Sequence, residues 1–243
     1  MSKDERPSNE DIKDLFYSIV DYAKEEGCPV TVYPKKNKIN GSNGYFCSDP
    51  KPHIKVALGN KTWPQAIQLI THEYCHYWQW KDGFLGHKDD EGNIAYARLL
   101  EGEDLTPQER HKASVLVRIS EYDCEMRTAE LFKQWNMESV FPLDQHIRSS
   151  NTYNRHIVWS IGDKTFPGSG VFYAKYDSLA DELWGSKKFK TFWDPKTFNG
   201  KQKLTAPISK KHLEIFDQAA GIERDENGYP IKKRKKTAAR RKR

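Results

Sequence analysis

The sequence predicts an α+β fold in which a small, edge-stranded sheet packs on two long helices. Three observations predict it. Residues 62–65 (Thr-Trp-Pro-Gln) and 106–109 (Thr-Pro-Gln-Glu) are capping boxes that each open a long helical stretch. Between residues 29 and 58 the chain carries short, alternating runs broken by turn residues. No apolar run approaches the roughly 18 residues that would span a bilayer.

The elements follow in order. Pro7 and Ser8 open a first helix, with Asp11 suited to its first turn. Ile12, Leu15, Phe16, Ile19 and Ala23 fall at helical spacing and Gly27 stops it. Residues 29–33 read as a strand, Asn-Gly at 40–41 and 43–44 marks turns, and residues 45–48 and 53–58 read as a hairpin bent around Pro50 and Pro52. A helix is expected from Thr62 to about Trp80. Residues 81–105 read as an irregular insertion with a short helix at 93–100. The helix opened by Thr106 meets no breaker before Asn136 and would be about 44 Å long. Ala113, Leu116, Val117, Ser120, Cys124, Leu131 and Trp135 form its expected inward stripe. Further helices are expected at 149–161 and 210–220, and 162–209 has no assignable pattern. The domain reading is therefore a unit at 8–160, a mixed extension at 161–231 and a disordered basic tail at 232–243.

Composition narrows the function classes. Leu, Ile, Val and Phe make up about a fifth of the 243 residues, near the level of unfolded chains. Seven Trp and an aromatic fraction of 12% argue for a folded core instead. Cys28, Cys47, Cys75 and Cys124 include no Cys-x-x-Cys pair, which excludes a zinc ribbon and a thioredoxin-type site. Reduced thiols in a cytoplasmic compartment are expected. Residues 1–14 are charged and lack the apolar segment of a secretory signal. Nine of the 40 basic residues fall in the last twelve positions, so the net +6 belongs to the tail. The tail can neutralise phosphates without reading sequence and has the composition of a nuclear-localisation segment. Non-specific nucleic acid is thus an expected partner of the tail, with a nuclear or virion-associated location as the alternative. A membrane partner is not expected.

The chemistry sits in His72-Glu73-Tyr74-Cys75-His76. Two histidines four apart on a helix share a face and can hold one zinc ion. Glu73 is placed to take a proton from an attacking water. Catalytic zinc needs a third protein ligand, and three residues are candidates. Glu121 lies on the next long helix, with Glu125 one turn on; one could bind metal while the other orients an imidazole. Asp82 stands at the third-ligand place of a longer His-Glu-x-x-His pattern, but Gln79 replaces the glycine that pattern needs. His87 would serve if its loop folded back. The alternative for both glutamates is a solvated acidic face paired with Arg118 and Arg127. Tyr153, Arg155 and His156 are candidates for stabilising an oxyanion.

Residues 70–80 (Ile-Thr-His-Glu-Tyr-Cys-His-Tyr-Trp-Gln-Trp), followed by 121–127 (Glu-Tyr-Asp-Cys-Glu-Met-Arg), resemble the phage-type zinc metallopeptidases, which are similar in pattern to ImmA/IrrE-type gluzincins. The resemblance covers roughly residues 10–160. It implies a zincin-like fold: a short helix, a small sheet with an edge strand, the His-Glu-x-x-His helix and a glutamate-bearing helix. The family's second helix reads Glu-x-x-Ala-Asn/Asp, and this chain has Cys124 and Glu125 in the last two places. The match leaves Glu121 as the third ligand and Glu125 as a larger carboxylate behind an imidazole. The reading is a zinc-dependent hydrolase of protein or peptide substrates, with His72, His76 and Glu121 on Zn2+ and Glu73 as general base. One rival is a SprT-like protease on DNA-bound proteins, using His87. The other is a non-catalytic, zinc-stabilised module associated with nucleic acid. Cys75 and Cys124, both small, would let the two helices approach closely.

Overall fold

The computed structural model describes residues 6–84, 90–162, 176–193, 210–226 and 231. Among them are seven helices and one three-stranded sheet, an α+β arrangement. The helices are α1 (Asn9–Glu25), α2 (Trp63–Lys81), α3 (Asp90–Leu100), α4 (Pro107–Gln134), α5 (Leu143–Gly162), α6 (Tyr176–Trp184) and α7 (Lys210–Ala220). The strands are β1 (Val30–Tyr33), β2 (Gly44–Cys47) and β3 (His53–Ala57). None of the described helices is long and apolar enough to cross a membrane.

Local chemistry sets the ends of the helices that matter most. Ser8, Thr62 and Thr106 each accept from the amide three residues on, and Asp11, Gln65 and Glu109 bond back to the cap amides. Each box satisfies two helix donors that would otherwise be orphaned. At the far end of α1, Gly27 takes φ +92° while its amide bonds Lys24 O and that of Cys28 bonds Ala23 O, a Schellman stop. Asn136 does the same for α4 at φ +56°, with the Met137 amide on Phe132 O.

The sheet runs β1-β3-β2, with β1 parallel and β2 antiparallel to β3. The register sets Val30 beside Ile54 and Val32 beside Val56, and these pack on α1 and α2. A Cβ on Gly44 would lie 3.1 Å from Leu69 Cδ1 and 3.0 Å from Lys55 O, tighter than most side-chain contacts, so glycine eases the close approach of β2 to α2. That approach brings the edge strand to the motif helix.

The main core joins α1, the sheet, α2 and one end of α4 around Phe16, Ile54, Ile67, Ile70, Tyr74 and Phe132. A second cluster, with Leu99, Ala113 and Ile157, binds α3 and α5 to the other part of α4. A third stacks Trp159 of α5 on Phe216 of α7 and against Leu179 and Leu183 of α6. The extension beyond residue 161 therefore shares the core face of α5.

Several elements differ from expectation. The inward stripe of α4 keeps Ala113, Leu116, Cys124 and Leu131, but Val117, Ser120 and Trp135 are only half-buried, while Arg110, Ser114, Thr128 and Phe132 are buried. The helix is clasped by α2, α3 and α5 on different sides, so no single apolar stripe describes it. Helix α5 starts six residues before the expected 149, and α3 three before 93. Helix α6 lies in the stretch that had no assignable pattern. The tail at 232–243 lies outside the described residues.

Candidate metal centre

Helix α2 sets His72 and His76 one turn apart, facing α4. The helices meet through small side chains: Cys75, Cys124 and Thr128 are fully buried, Thr128 Oγ1 lies 3.5 Å from Cys75 Sγ, and the Cys124 thiol donates to His72 O at 3.2 Å. Larger residues at those positions would push α4 beyond ligand reach.

With the helices this close, the Nε2 atoms of His72 and His76 lie 3.1 Å apart. Glu121 faces both rings: Oε2 is 3.4 Å from His72 Nε2, and Oε1 is 3.7 Å from His76 Nε2. Each imidazole is tied at its other nitrogen. Gln79 Nε2 donates to Ser120 O at 2.7 Å and to Asp123 Oδ2 at 2.8 Å, which fixes its Oε1 as an acceptor 2.8 Å from His76 Nδ1. His76 must then carry its proton on Nδ1, leaving the Nε2 lone pair for the cluster. Glu125 Oε1 does the same for His72 Nδ1 at 3.1 Å, and its Oε2 is held by His146 Nε2 at 2.8 Å. His146 comes from α5 and is buried. A chain His72–Glu125–His146 thus links all three helices behind the cluster.

Glu73 points about 100° round α2 from its neighbour, toward the sheet. Its Oε2 accepts the Phe46 amide of β2 at 2.9 Å. Glu73 itself is buried.

No family model, curated protein or solved structure matches this chain. The donor set is therefore tested on its own geometry. Ligand atoms about 2.0–2.1 Å from a tetrahedral zinc stand about 3.3 Å from one another. The separations of 3.1, 3.4 and 3.7 Å bracket that edge. Among the described residues, Glu121 Oε2 is buried and has no hydrogen-bond partner, an acceptor waiting for a cation or donor. The residues fit a divalent metal. Two overlapping groups also lie within 4.8 Å of one another: His72, Glu121 and Glu125, and His72, His76 and Cys124.

The electrostatics of the metal-free cluster follow from burial and crowding. Burial opposes charge on His72, but Glu125, Glu121 and Glu73 outweigh it and push its pKa up to about 10. Burial and the adjacent His72 push His76 down to about 4. Burial raises Glu121 to about 7, with His72 opposing and Glu125 adding. Burial also raises Glu73. Glu125 behaves oppositely, because His146 and His72 overcome its burial and hold it well below the usual carboxylate range.

Of the sequence candidates, His72, Glu73, His76, Glu121 and Glu125 are brought together. Asp82 is not: it ends α2, exposed, in an ion pair with Arg127 at 2.6 Å. Arg127 pairs with Asp123 and Asp82 and Arg118 bonds Asn154, so the glutamates do not form the solvated acidic face of the alternative reading. His87 lies outside the described residues. His156 is buried on Trp159 and Phe216, and Arg155 lies over the Trp193 ring at 5.0 Å, both within the aromatic packing around α5.

Three residues escaped sequence reasoning. Gln79 had a legible signal, since it stands three after His76 on the same helix face. His146 was missed because the helix that carries it begins at Leu143, six residues before the expected start. Tyr96, on α3, is close enough to Glu121 that burial and then that carboxylate push its hydroxyl up to about 12.

Proposed function

We propose that this protein is a zinc-dependent metallopeptidase of the gluzincin type, with a zincin-like fold, acting on a protein or peptide substrate. The observation that carries the reading is the convergence of His72 Nε2, His76 Nε2 and the Glu121 carboxylate, with both Nδ1 atoms tied back by Glu125 and Gln79.

His72, His76 and Glu121 would hold the zinc. Bound there, the ion would supply Lewis acidity, polarising a scissile carbonyl and acidifying a water. Glu73 accepts the proton of the attacking water at Oε1, while the Phe46 amide steadies Oε2. Burial raises the Glu73 pKa, which suits a group that must take a proton and then deliver it to the leaving amine. Gln79 and Glu125 keep each imidazole in one tautomer and orientation.

The test is metal content by mass spectrometry on untagged protein, joined to a peptide-library cleavage assay. Wild type should carry about one zinc per chain and cleave. Glu73→Gln should keep the zinc and lose cleavage, because an amide cannot accept the proton. Equal cleavage by that variant would overturn the mechanism.

One observation favours the structural alternative. Cys124 Sγ lies within the 4.8 Å group formed with His72 and His76 and could close the coordination sphere. A cobalt-substituted protein distinguishes the readings. A thiolate charge-transfer band indicates Cys124 ligation and a closed site, and its absence leaves a position open for water.

A further inference from the structure

The outer face of the sheet takes no part in the metal centre, and its chemistry differs from the rest of the chain. Ile54 and Val56 point to the helices, so Thr31, Tyr33, Tyr45, His53 and Lys55 point the other way. Residues 29–61 hold six lysines (35, 36, 38, 51, 55 and 61) against one acid, Asp49. The remainder of the chain before residue 232 has 25 basic and 33 acidic residues, so this segment is a positive region on an acidic body.

The lysines are interleaved with rings. Lys36 Nζ stands over Tyr33 at 4.3 Å and Lys55 Nζ over Tyr45 at 5.7 Å, and His53 meets Tyr45 edge-on at 6.2 Å. Lys61 Nζ bonds Asn43 at 3.1 Å, and burial together with nearby Lys38 holds its pKa below the ordinary lysine value.

We propose that this face binds single-stranded nucleic acid, with Lys36, Lys38, Lys55 and Lys61 meeting phosphates and Tyr33 and Tyr45 stacking on bases. Charge complementarity selects a polyanion. The cations are all lysines, which neutralise phosphates as point charges without reading sequence, and the interleaved tyrosines supply faces for bases. Tyr33 and Tyr45 stand two strands apart and two residues out of step, a separation of about 12 Å at ordinary sheet spacings. That far exceeds the roughly 3.4 Å step of stacked bases, so the two rings fit bases splayed from one strand, not a duplex. The proposal does not depend on the hydrolase reading, although β2 carries both Tyr45 and the Phe46 amide that holds Glu73.

The test is fluorescence anisotropy of labelled dT12 on the full chain and on a full-length variant whose nine basic residues at 232–243 are changed to serine. The serine variant should still bind, with affinity falling as salt rises. On that background Tyr33→Ala with Tyr45→Ala should weaken binding at least tenfold, as loss of base stacking does. Tyr33→Phe with Tyr45→Phe should restore it. Lys36→Glu with Lys55→Glu should weaken binding and flatten the salt slope by about 1.4, roughly 0.7 for each phosphate contact. Unchanged binding in the alanine or glutamate pair, or no binding by the serine variant, would overturn the proposal. Displacement of dT12 by polyglutamate at equal charge would also overturn it and point to an acidic protein partner.

Discussion

The ligands of the metal-free protein should release about two protons per added zinc near pH 6 and about one near pH 8.5, because ligands must be deprotonated to bind, and a zinc-bound water of pKa about 7 would add up to one more at pH 8.5. The number follows from how the cluster stores protons. Gln79 and Glu125 hold the Nδ1 protons in place, so the two Nε2 atoms face each other across 3.1 Å. Two bare lone pairs at that distance repel, and the proton between them belongs to His72, at about 10, not to His76, at about 4. That proton must leave at either pH when zinc takes both nitrogens. Glu121, at about 7, gives up a second proton at pH 6 and almost none at pH 8.5. With ordinary histidine and glutamate values the ligands would release about 1.5 at pH 6 and close to none at pH 8.5, so the total at pH 8.5 would be about one proton lower than with the shared proton. Calorimetric titration in buffers of different ionisation enthalpy reads the count directly. A release near zero at pH 8.5 would refute the shared proton. Stability should follow the same sign. The His72 contribution to the metal-free fold is full below about pH 6.5 and is lost as pH rises through about 10. Its melting temperature should therefore fall over that window, and that of the zinc-loaded protein should fall less.

His146→Ala removes the partner of Glu125 Oε2, so zinc affinity measured by chelator competition should drop about 10–100-fold; unchanged affinity would detach His146 from the site. Glu121→Ala should lose most bound zinc while His87→Ala changes little, and the reverse result would install the SprT-like arrangement. Thr106→Ala breaks the capping box of α4 and should cost about 1 kcal/mol in denaturant melts; a loss of zinc in that variant without a loss of stability would contradict the separation of cap and site.

The parts of this protein legible in its sequence are those set by neighbours along the chain. Capping boxes and 3.6-residue periodicity located α1, α2 and α4, because those bonds close within three or four residues. Alternation and turn residues located the strands for the same reason. The His-Glu-x-x-His turn belongs here too, since a helix alone sets two histidines on one face. What the sequence left open is what depends on how one helix lies on another. Glu121 and Glu125 share a face of α4, and nothing local distinguishes a metal ligand from a buttress. The packing of Cys75, Cys124 and Thr128 sets the shift of α4 along α2, and that shift brings Glu121 to the Nε2 side and Glu125 to the Nδ1 side of His72. His146 enters from a third helix whose placement rests on side chains far apart in sequence, and α6 is a short helix whose Leu179 and Leu183 find their partner only in Trp159 of α5. Contacts between distant segments leave no period in a single chain, so the centre's supporting partners were decided by tertiary packing alone.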